Sequence, residues 1–318
     1  MSEGGGDSEG GKSRRQFTDS AWSGETGVGS LQRLEYARAF AVRALSKVIN
    51  DVLAPFNAES TKTLEVGSGT GYLRSLLPGW KGSWTQLEPT EALLTRARES
   101  ARPRSKDQFV VGSAYELPFE DNTHDLVVGL ASYDVMVHLD EAIAETLRVL
   151  KPGGTFLHLF DFRAPADPVM ALLKEAGISY EFTEAKNEQT PSVLMVDTRN
   201  AAHQSVLDLL VFEGGMKKGK RKVNMNATFE KSVLRSLQKH GFNIIFSGQK
   251  SASVTGPMLP VQRQFPKAIK FTLQGGAVDA SIDDDKVIPL QLPGLPGTSG
   301  NTVEEEAIID VIIAEKPK

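Results

Sequence analysis

The sequence predicts an α/β protein built on a doubly wound, mostly parallel seven-stranded sheet, with an inserted cap and an N-terminal helix. Three observations lead there. Short apolar runs alternate with helical segments over residues 61–162, the pattern of right-handed strand-helix-strand crossovers. The first run ends in a glycine-rich turn, Gly67 to Gly71. The alternation then stops and resumes near residue 228, so a second structural unit interrupts the first.

Each element follows from its local pattern. Over residues 31–56, Leu31, Leu34, Phe40, Leu45, Val48, Ile49 and Leu53 recur at spacings near three and four and Pro55 closes the run, which predicts an amphipathic helix. Strands are expected at 63–66, 83–88, 108–111, 126–130 and 155–162, with helices at 72–77, 90–100 and 140–150 between them. Lys151-Pro152-Gly153-Gly154 stops the last of these helices, because proline lacks the N–H and glycine supplies the turn. The insertion carries helix candidates at 168–176 and 201–212. A helix, a turn at Gly241 and a strand ending at Phe246 then rejoin the core, and residues 307–314 read as a final buried strand.

The expected organisation is a disordered leader at 1–16, a helical lid at 17–60 and a ligand-binding core at 61–162. An inserted substrate cap at 163–227 follows, then the rest of the core sheet at 228–318 with a loop-rich, Pro- and Gly-bearing insertion at 251–300. Phe17 and Trp22 in the lid either fold over a ligand or dock on the core.

Composition removes several classes of function. The 318 residues, 40% hydrophobic, suffice for a full core. A net charge of -4 argues against a protein whose main task is gripping nucleic acid. The chain has no cysteine, which excludes disulfides, thiolate metal sites and cysteine nucleophiles. The leader has neither an apolar signal core nor an Arg-rich transit pattern, and no run approaches the ~18 apolar residues of a membrane span. These features lead to the expectation of a soluble cytoplasmic protein without a membrane partner.

A strand, a glycine turn and a helix bring backbone amides close to a polar ligand, so the turn alone does not name the ligand. Spacing narrows the choice. A P-loop needs Gly-Lys-Ser/Thr, and Gly71 is followed by Tyr72. The dinucleotide fingerprint needs a further glycine or alanine three residues on, and those positions hold Tyr72 or Arg74. What remains is Glu65 two places before a G-x-G-x-G loop, and a second strand ending in Glu88, where an acid can meet ribose hydroxyls. The ligand-free alternative is a tight strand-helix connection, with Glu88 a capping or solvated acid.

This arrangement resembles the class I (Rossmann-like) S-adenosylmethionine-dependent methyltransferase family, of the type 11 domain. Residues 64–73 look like its first motif and 86–89 its second, 112–119 its adenine-side segment, 119–127 the run into its fourth strand, and 147–154 the end of its following helix. The resemblance implies S-adenosyl-L-methionine as cofactor and assigns roles by position. Gly67, Ser68, Gly69 and Gly71 would lie against its methionine part, and Glu65 would orient its amino group. Glu88, beside Pro89, would take the ribose hydroxyls; Ser113 and Ala114 would border the adenine, and Ala131 would border the cofactor at the fourth strand. Ser113 departs from the Asp of many relatives.

Methyl transfer is an in-line displacement in which alignment and water exclusion do most of the work, so a metal is not required and a base is optional. The end of the fourth strand should face the methyl group, which makes Tyr133, Asp134 and His138 the catalytic candidates; His158 and Asp161 are ambiguous. The plain alternative for His138 is capping or packing. The Asn/Asp-Pro-Pro-Tyr/Phe tetrapeptide of amide and adenine methylases is absent, which disfavours DNA. The expected acceptor is a small-molecule O, N or C nucleophile. The alternatives are an RNA or protein acceptor docking through the basic run 217–222, which is otherwise a solvated turn, and a binding protein that kept the fold without transfer.

Overall fold

The computed structural model describes residues 38–100, 107–136, 138–160, 167–183, 193–199, 201–264, 268–274, 277–282 and 302–318. The expected leader, Phe17, Trp22, the first turns of the N-terminal helix and Asp161 lie outside the described residues.

Helix α1 (Val42–Leu53) precedes strand β1 (Lys62–Val66), helix α2 (Tyr72–Ser75), strand β2 (Ser83–Glu88), helix α3 (Glu91–Ser100), strand β3 (Asp107–Val111) and strand β4 (His124–Leu130). Helix α4 (Leu139–Val149) and strand β5 (Leu150–Phe160) complete a parallel block in the order β5-β4-β1-β2-β3. Strand β1 therefore lies between β2 and β4, with Glu65 opposite Gln86 on one side and Val128 on the other. Winding reverses at that point, and the loop after β1 opens into the crevice where the two directions diverge.

Two apolar layers cover the sheet. On one face Leu45, Ile49 and Leu53 of α1 pack with Leu73, Leu77, Trp80, Trp84, Leu126, Val128 and Leu157. On the other, Leu64, Val127, Phe156 and Ile312 meet Ala142, Ile143 and Val149 of α4. Val233 and Leu237 of helix α7 (Met225–Lys239) complete that second layer. Strand alternation puts neighbouring side chains in opposite layers, which is why Leu126 and Val127 belong to different clusters.

The inserted segment is more strand-rich than the sequence suggested. Helix α5 (Asp167–Glu175), strands β6 (Tyr180–Thr183) and β7 (Val193–Asp197), the single-turn helix α6 (Gln204–Leu207) and strands β8 (Phe212–Lys217) and β9 (Lys220–Val223) form one unit. Its sheet runs β6-β7-β9-β8, wholly antiparallel. Leu173, Leu194, Val196, Leu207, Leu210 and Val223 give it a core of its own, closed by Phe229 from α7. The helix expected over 201–212 stops at Leu207. Leu207 and Leu210 both reach the small core from one turn, and Phe212 already belongs to β8.

Among the described residues the main sheet has nine strands rather than seven, and the expected loop at 251–300 is partly sheet. Strand β10 (Asn243–Pro257) continues well past Phe246, and strands β11 (Ala268–Gln274) and β12 (Ala277–Ile282) follow. Small residues hid β10 from the periodicity: Ala252, Val254 and Gly256 are its half-buried face and Ser251, Ser253 and Thr255 its exposed one. Strand β13 (Thr302–Glu315) is longer than the expected 307–314. Its second half pairs antiparallel with β5 and its first half parallel with β11, and β10 runs antiparallel beside both halves.

The Lys151-Pro152-Gly153-Gly154 turn lies inside β5, as an irregularity where pairing with β4 slips between His124, opposite Leu150, and Leu126, opposite Thr155. Gly153 takes φ +75° there.

Candidate active site

The chain leaves β1 at Val66 and turns through Gly67, Ser68, Gly69, Thr70 and Gly71 before α2. Gly67, Gly69 and Gly71 have φ of +72°, +54° and +77°, values that side chains with a Cβ adopt only under strain. The Gly67 and Ser68 amides donate to the Leu87 carbonyl at 2.9 and 3.1 Å. The Gly69 amide donates to Glu88 Oε2 at 3.0 Å, and Thr90 N–H to Glu88 Oε1 at 3.1 Å. Glu88 thus fastens the end of β2 to the loop.

The glycines differ in what surrounds them. A Cβ on Gly67 would sit 2.6 Å from Ser132 Cβ and one on Gly71 2.8 Å from Gln86 Oε1, whereas Gly69 has nothing within 4 Å. Two glycines allow close packing and the third faces open space, leaving room for a ligand against the backbone. Ser68 Oγ and Thr90 Oγ1 are buried beside this loop without a hydrogen-bond partner. Buried hydroxyls of that kind need a partner from elsewhere. The donors and acceptors at the ends of β1 and β2 are of a kind that a ligand with hydroxyl and amino groups could pair.

Glu65 lies beneath the loop, 2% exposed, and accepts a hydrogen bond from Trp84 Nε1 at 2.8 Å. Burial pushes its carboxyl up to about 8, against the opposing pull of the Trp84 bond and of Arg74. Its ordinary value is lower, so the folded chain holds a proton that the unfolded chain gives up. This stabilisation is complete below about pH 4.5 and is lost as pH rises through about 8. His124 acts in the opposite sense: burial lowers it from 6.5 to about 4, so its contribution is present above 6.5 and lost as pH falls. Above pH 6.5 Glu65 dominates. The unfolding free energy measured in urea should therefore fall between pH 6.5 and 8, by up to roughly 1.4 kcal/mol per pH unit, and Glu65→Gln should flatten that slope. An unchanged slope in the variant would contradict the assignment.

Ser113 and Ala114 follow β3. Ser113 Oγ accepts from Tyr115 N–H at 3.2 Å, and Ala114 packs against the second layer. At the end of β4 the backbone is strained: Ala131 takes φ +52°, and its amide is fixed on the Leu159 carbonyl at 2.8 Å. A non-glycine residue held there costs on the order of 1–3 kcal/mol, and such strain concentrates at functional sites.

The three catalytic candidates have different settings. Tyr133 is fully buried, its hydroxyl 2.7 Å from Thr146 Oγ1 and its ring edge-on to Phe156; burial drives its pKa up, so it offers no accessible base. His138 is half-buried at the N-terminus of α4, edge-on to the Tyr115 ring and 3.7 Å from Glu141, the packing arrangement. Asp134 is 1% exposed, and its Oδ1 is 3.5 Å from His158 Nε2. That separation is ion-pair contact, outside hydrogen-bond geometry.

Sequence reading passed over Ser132, whose buried hydroxyl lacks a partner and whose Cβ closes on Gly67. Its place directly after Ala131 was the available signal. The basic run lies on the β8-β9 hairpin, turned by Lys218 at φ +52° and Gly219 at φ +78°. Lys220 pairs with Glu181, Lys222 with Glu213, and Arg221 stacks 4.5 Å over Phe212. Much of its charge is thus already engaged within the small sheet. Among the described residues no helix is long and apolar enough to cross a membrane.

A parallel sheet wound both ways from β1, a glycine loop at the switch point and an acid ending β2 define a Rossmann-like domain for a nucleoside-bearing cofactor. Residues 64–158 match the model of the methyltransferase domain family. Over those residues the chain is similar to class I S-adenosyl-L-methionine-dependent methyltransferase domains, a family whose cofactor is S-adenosyl-L-methionine. An uncharacterized methyltransferase of Schizosaccharomyces pombe is 35% identical over 109 residues, 30% of this chain and 38% of that protein. The ubiquinone/menaquinone biosynthesis C-methyltransferase UbiE of Brucella canis is 35% identical over 113 residues, 34% of this chain and 42% of that protein. The UbiE of Shewanella piezotolerans is 28% identical over 198 residues, 49% of this chain and 78% of that protein. The chain covers less than half the length of the first two.

Proposed function

We propose that the chain transfers a methyl group from S-adenosyl-L-methionine to a small-molecule nucleophile. The observation that carries this reading is the loop geometry: Gly69 faces open space while its amide and Glu88 bind each other, so one carboxylate sets both the loop and the end of β2. When bound, the cofactor supplies an electrophilic methyl carbon on a sulfonium. Glu88 would hold the ribose hydroxyls, Ser68 and Gly69 the methionine part, and Ser113 and Ala114 the adenine edge. Glu65, protonated near neutral pH and tied to Trp84, would support the loop from below.

Carbon is a candidate acceptor atom because two of the similar proteins are named C-methyltransferases. The internal pairing of the basic hairpin favours a small molecule over RNA or protein. Calorimetry with S-adenosyl-L-methionine, followed by labelled transfer into metabolite extracts, tests the reading. Glu88→Ala should weaken cofactor affinity about 10- to 100-fold, the worth of a hydrogen bond to a charged group. Native protein that shows no saturable binding would end the proposal.

A further inference from the structure

Strand β5 ends at Phe160, which stands opposite Asp310 of β13. In β4, Leu130 is abreast of Leu159, so Ala131 and Phe160 lie one residue further on, at one level. Ala131, Phe160 and Asp310 are therefore neighbours along the carboxyl rim of the sheet, with Asp310 about 10 Å from Ala131 at two interstrand spacings. Open α/β sheets bind their ligands just outside that rim.

Because β13 runs against β5, its first eight residues, Thr302 to Ile309, continue past the rim, flanked by β10 and β11. At about 3.3 Å per residue they rise roughly 25 Å beyond it. One face of this extension is closed: Ala307 and Ile309 pack in the layer of α1, and Glu305 is buried. The other face is open. Glu304, Glu306, Ile308 and Asp310 alternate along it, each half-buried, and the layer that Val233 and Leu237 of α7 complete reaches Ile312. The inserted unit is attached on this same side, since it follows β5 and is closed by Phe229 of α7.

Charge on the open face is unevenly satisfied. Lys270 of β11 is shared by Glu306 at 2.9 Å and Glu304 at 3.7 Å. Ser253 and Thr272 donate to Glu304 and Glu306 at 2.5 and 3.3 Å. The Asp310 carboxylate has no hydrogen bond or ion pair among the described residues. Its cross-strand neighbours are Phe160 and Gln249, and Ile308 is the next side chain on its own face. A carboxylate without a cation, set between an aromatic and an aliphatic side chain, suits a cation carried on an apolar body.

We propose that this face of β13 is a wall of the methyl-acceptor site and that Asp310 is its specificity-determining residue, holding the ammonium group of a small organic amine. This rests on the methyltransferase reading. The ammonium donates to the Asp310 carboxylate while the apolar part of the molecule lies along Phe160 and Ile308, level with Ala131. A neutral hydroxyl in its place gains a hydrogen bond without the charge, and an anion is repelled.

Two measurements test it. Benzylammonium, benzyl alcohol and benzoate share a ring and differ in charge, and nuclear magnetic resonance titration of the full chain reads their affinities. Benzylammonium should bind most tightly and benzoate least. Asp310→Asn, nearly isosteric, should weaken benzylammonium about tenfold or more, as the loss of a charge-assisted hydrogen bond requires, with the urea midpoint unchanged. Asp310→Lys should reverse the order of benzylammonium and benzoate. Benzoate bound as tightly as benzylammonium by the native chain, or native affinity in Asp310→Asn, would overturn the proposal. In labelled transfer with a metabolite extract separated by ion exchange, methyl should enter the cationic fraction. There Asp310→Asn should raise KM about tenfold while kcat and S-adenosyl-L-methionine affinity stay as in the native protein. Transfer confined to the neutral or anionic fractions would overturn the amine assignment. Failure of the native protein to bind the cofactor would instead sink the methyltransferase reading and leave the benzylammonium titration to decide the Asp310 site.

Discussion

Gly67→Ala should unfold at markedly lower urea than the native protein and should lose S-adenosyl-L-methionine binding. The new Cβ would lie 2.6 Å from Ser132 Cβ, and the backbone stands at φ +72°. Left-handed strain costs roughly 1–3 kcal/mol and overpacking roughly another 1–3 kcal/mol. Ser132 has little room to give, because its neighbour Tyr133 is fixed on Thr146 and its predecessor Ala131 on Leu159. Gly69→Ala is the informative partner. Nothing would crowd its Cβ, so only the φ of +54° opposes it and stability should fall by about 1 kcal/mol. Its Cβ would nevertheless fill the space that a ligand needs. A variant that folds well and binds poorly would separate the two jobs of the loop; equal binding by Gly69→Ala and native protein would mean that the open space is not the cofactor's.

Much of this loop was legible in the sequence, because a G-x-G-x-G run between an apolar strand and a helix has few other uses. Glu88 was legible for the same reason, as an acid ending the next strand. The catalytic candidates were harder. Tyr133, Asp134 and His138 look alike as polar residues after an apolar strand, and only packing separates a core hydroxyl from a buried carboxylate and a half-exposed imidazole. Asp134 meets His158, 24 residues on in the neighbouring strand, only in the fold, where no local pattern could join them. The strands at 251–282 were obscured differently: β10 alternates Ser and Thr with Ala, Val and Gly, a contrast too weak to read as strand. The β6-β7-β9-β8 sheet was similarly masked by short strands with charged outer faces.

Glu305→Ala should be the most destabilising substitution outside the glycine loop, by about 3–5 kcal/mol. Glu305 is fully buried on β13. Its Oε2 accepts from the Arg43 and Ala44 amides at 2.8 and 3.3 Å, and its Oε1 from Arg43 Nε and Gln262 Nε2, both at 2.8 Å. Gln262 also donates to the Phe40 carbonyl at 2.6 Å. The carboxylate thus caps the first turn of α1, where free amides and the helix dipole favour negative charge, and neutralises Arg43. Removing it leaves two amides and the Gln262 side chain short of a partner and Arg43 with only the Pro257 carbonyl. Arg43→Ala should cost less alone, since Arg43 is partly exposed, and the double variant should be less unstable than the two losses added. Strict additivity in urea unfolding would show that the two groups do not act as one unit.

The Arg43-Glu305 contact joins residues 262 positions apart, and β13 also supplies the neighbour of β5. Residues 38–160 therefore hold every strand of the parallel block, yet two parts of that block stay open until residues 302–315 have been made: the flank of β5 and the cap of α1. Contacts of such wide sequence separation slow folding. During synthesis, a chain that already owns its glycine loop would wait, with that flank of β5 unpaired, for β13 to arrive. The glycine-loop block is thus encoded well before the strand that closes it.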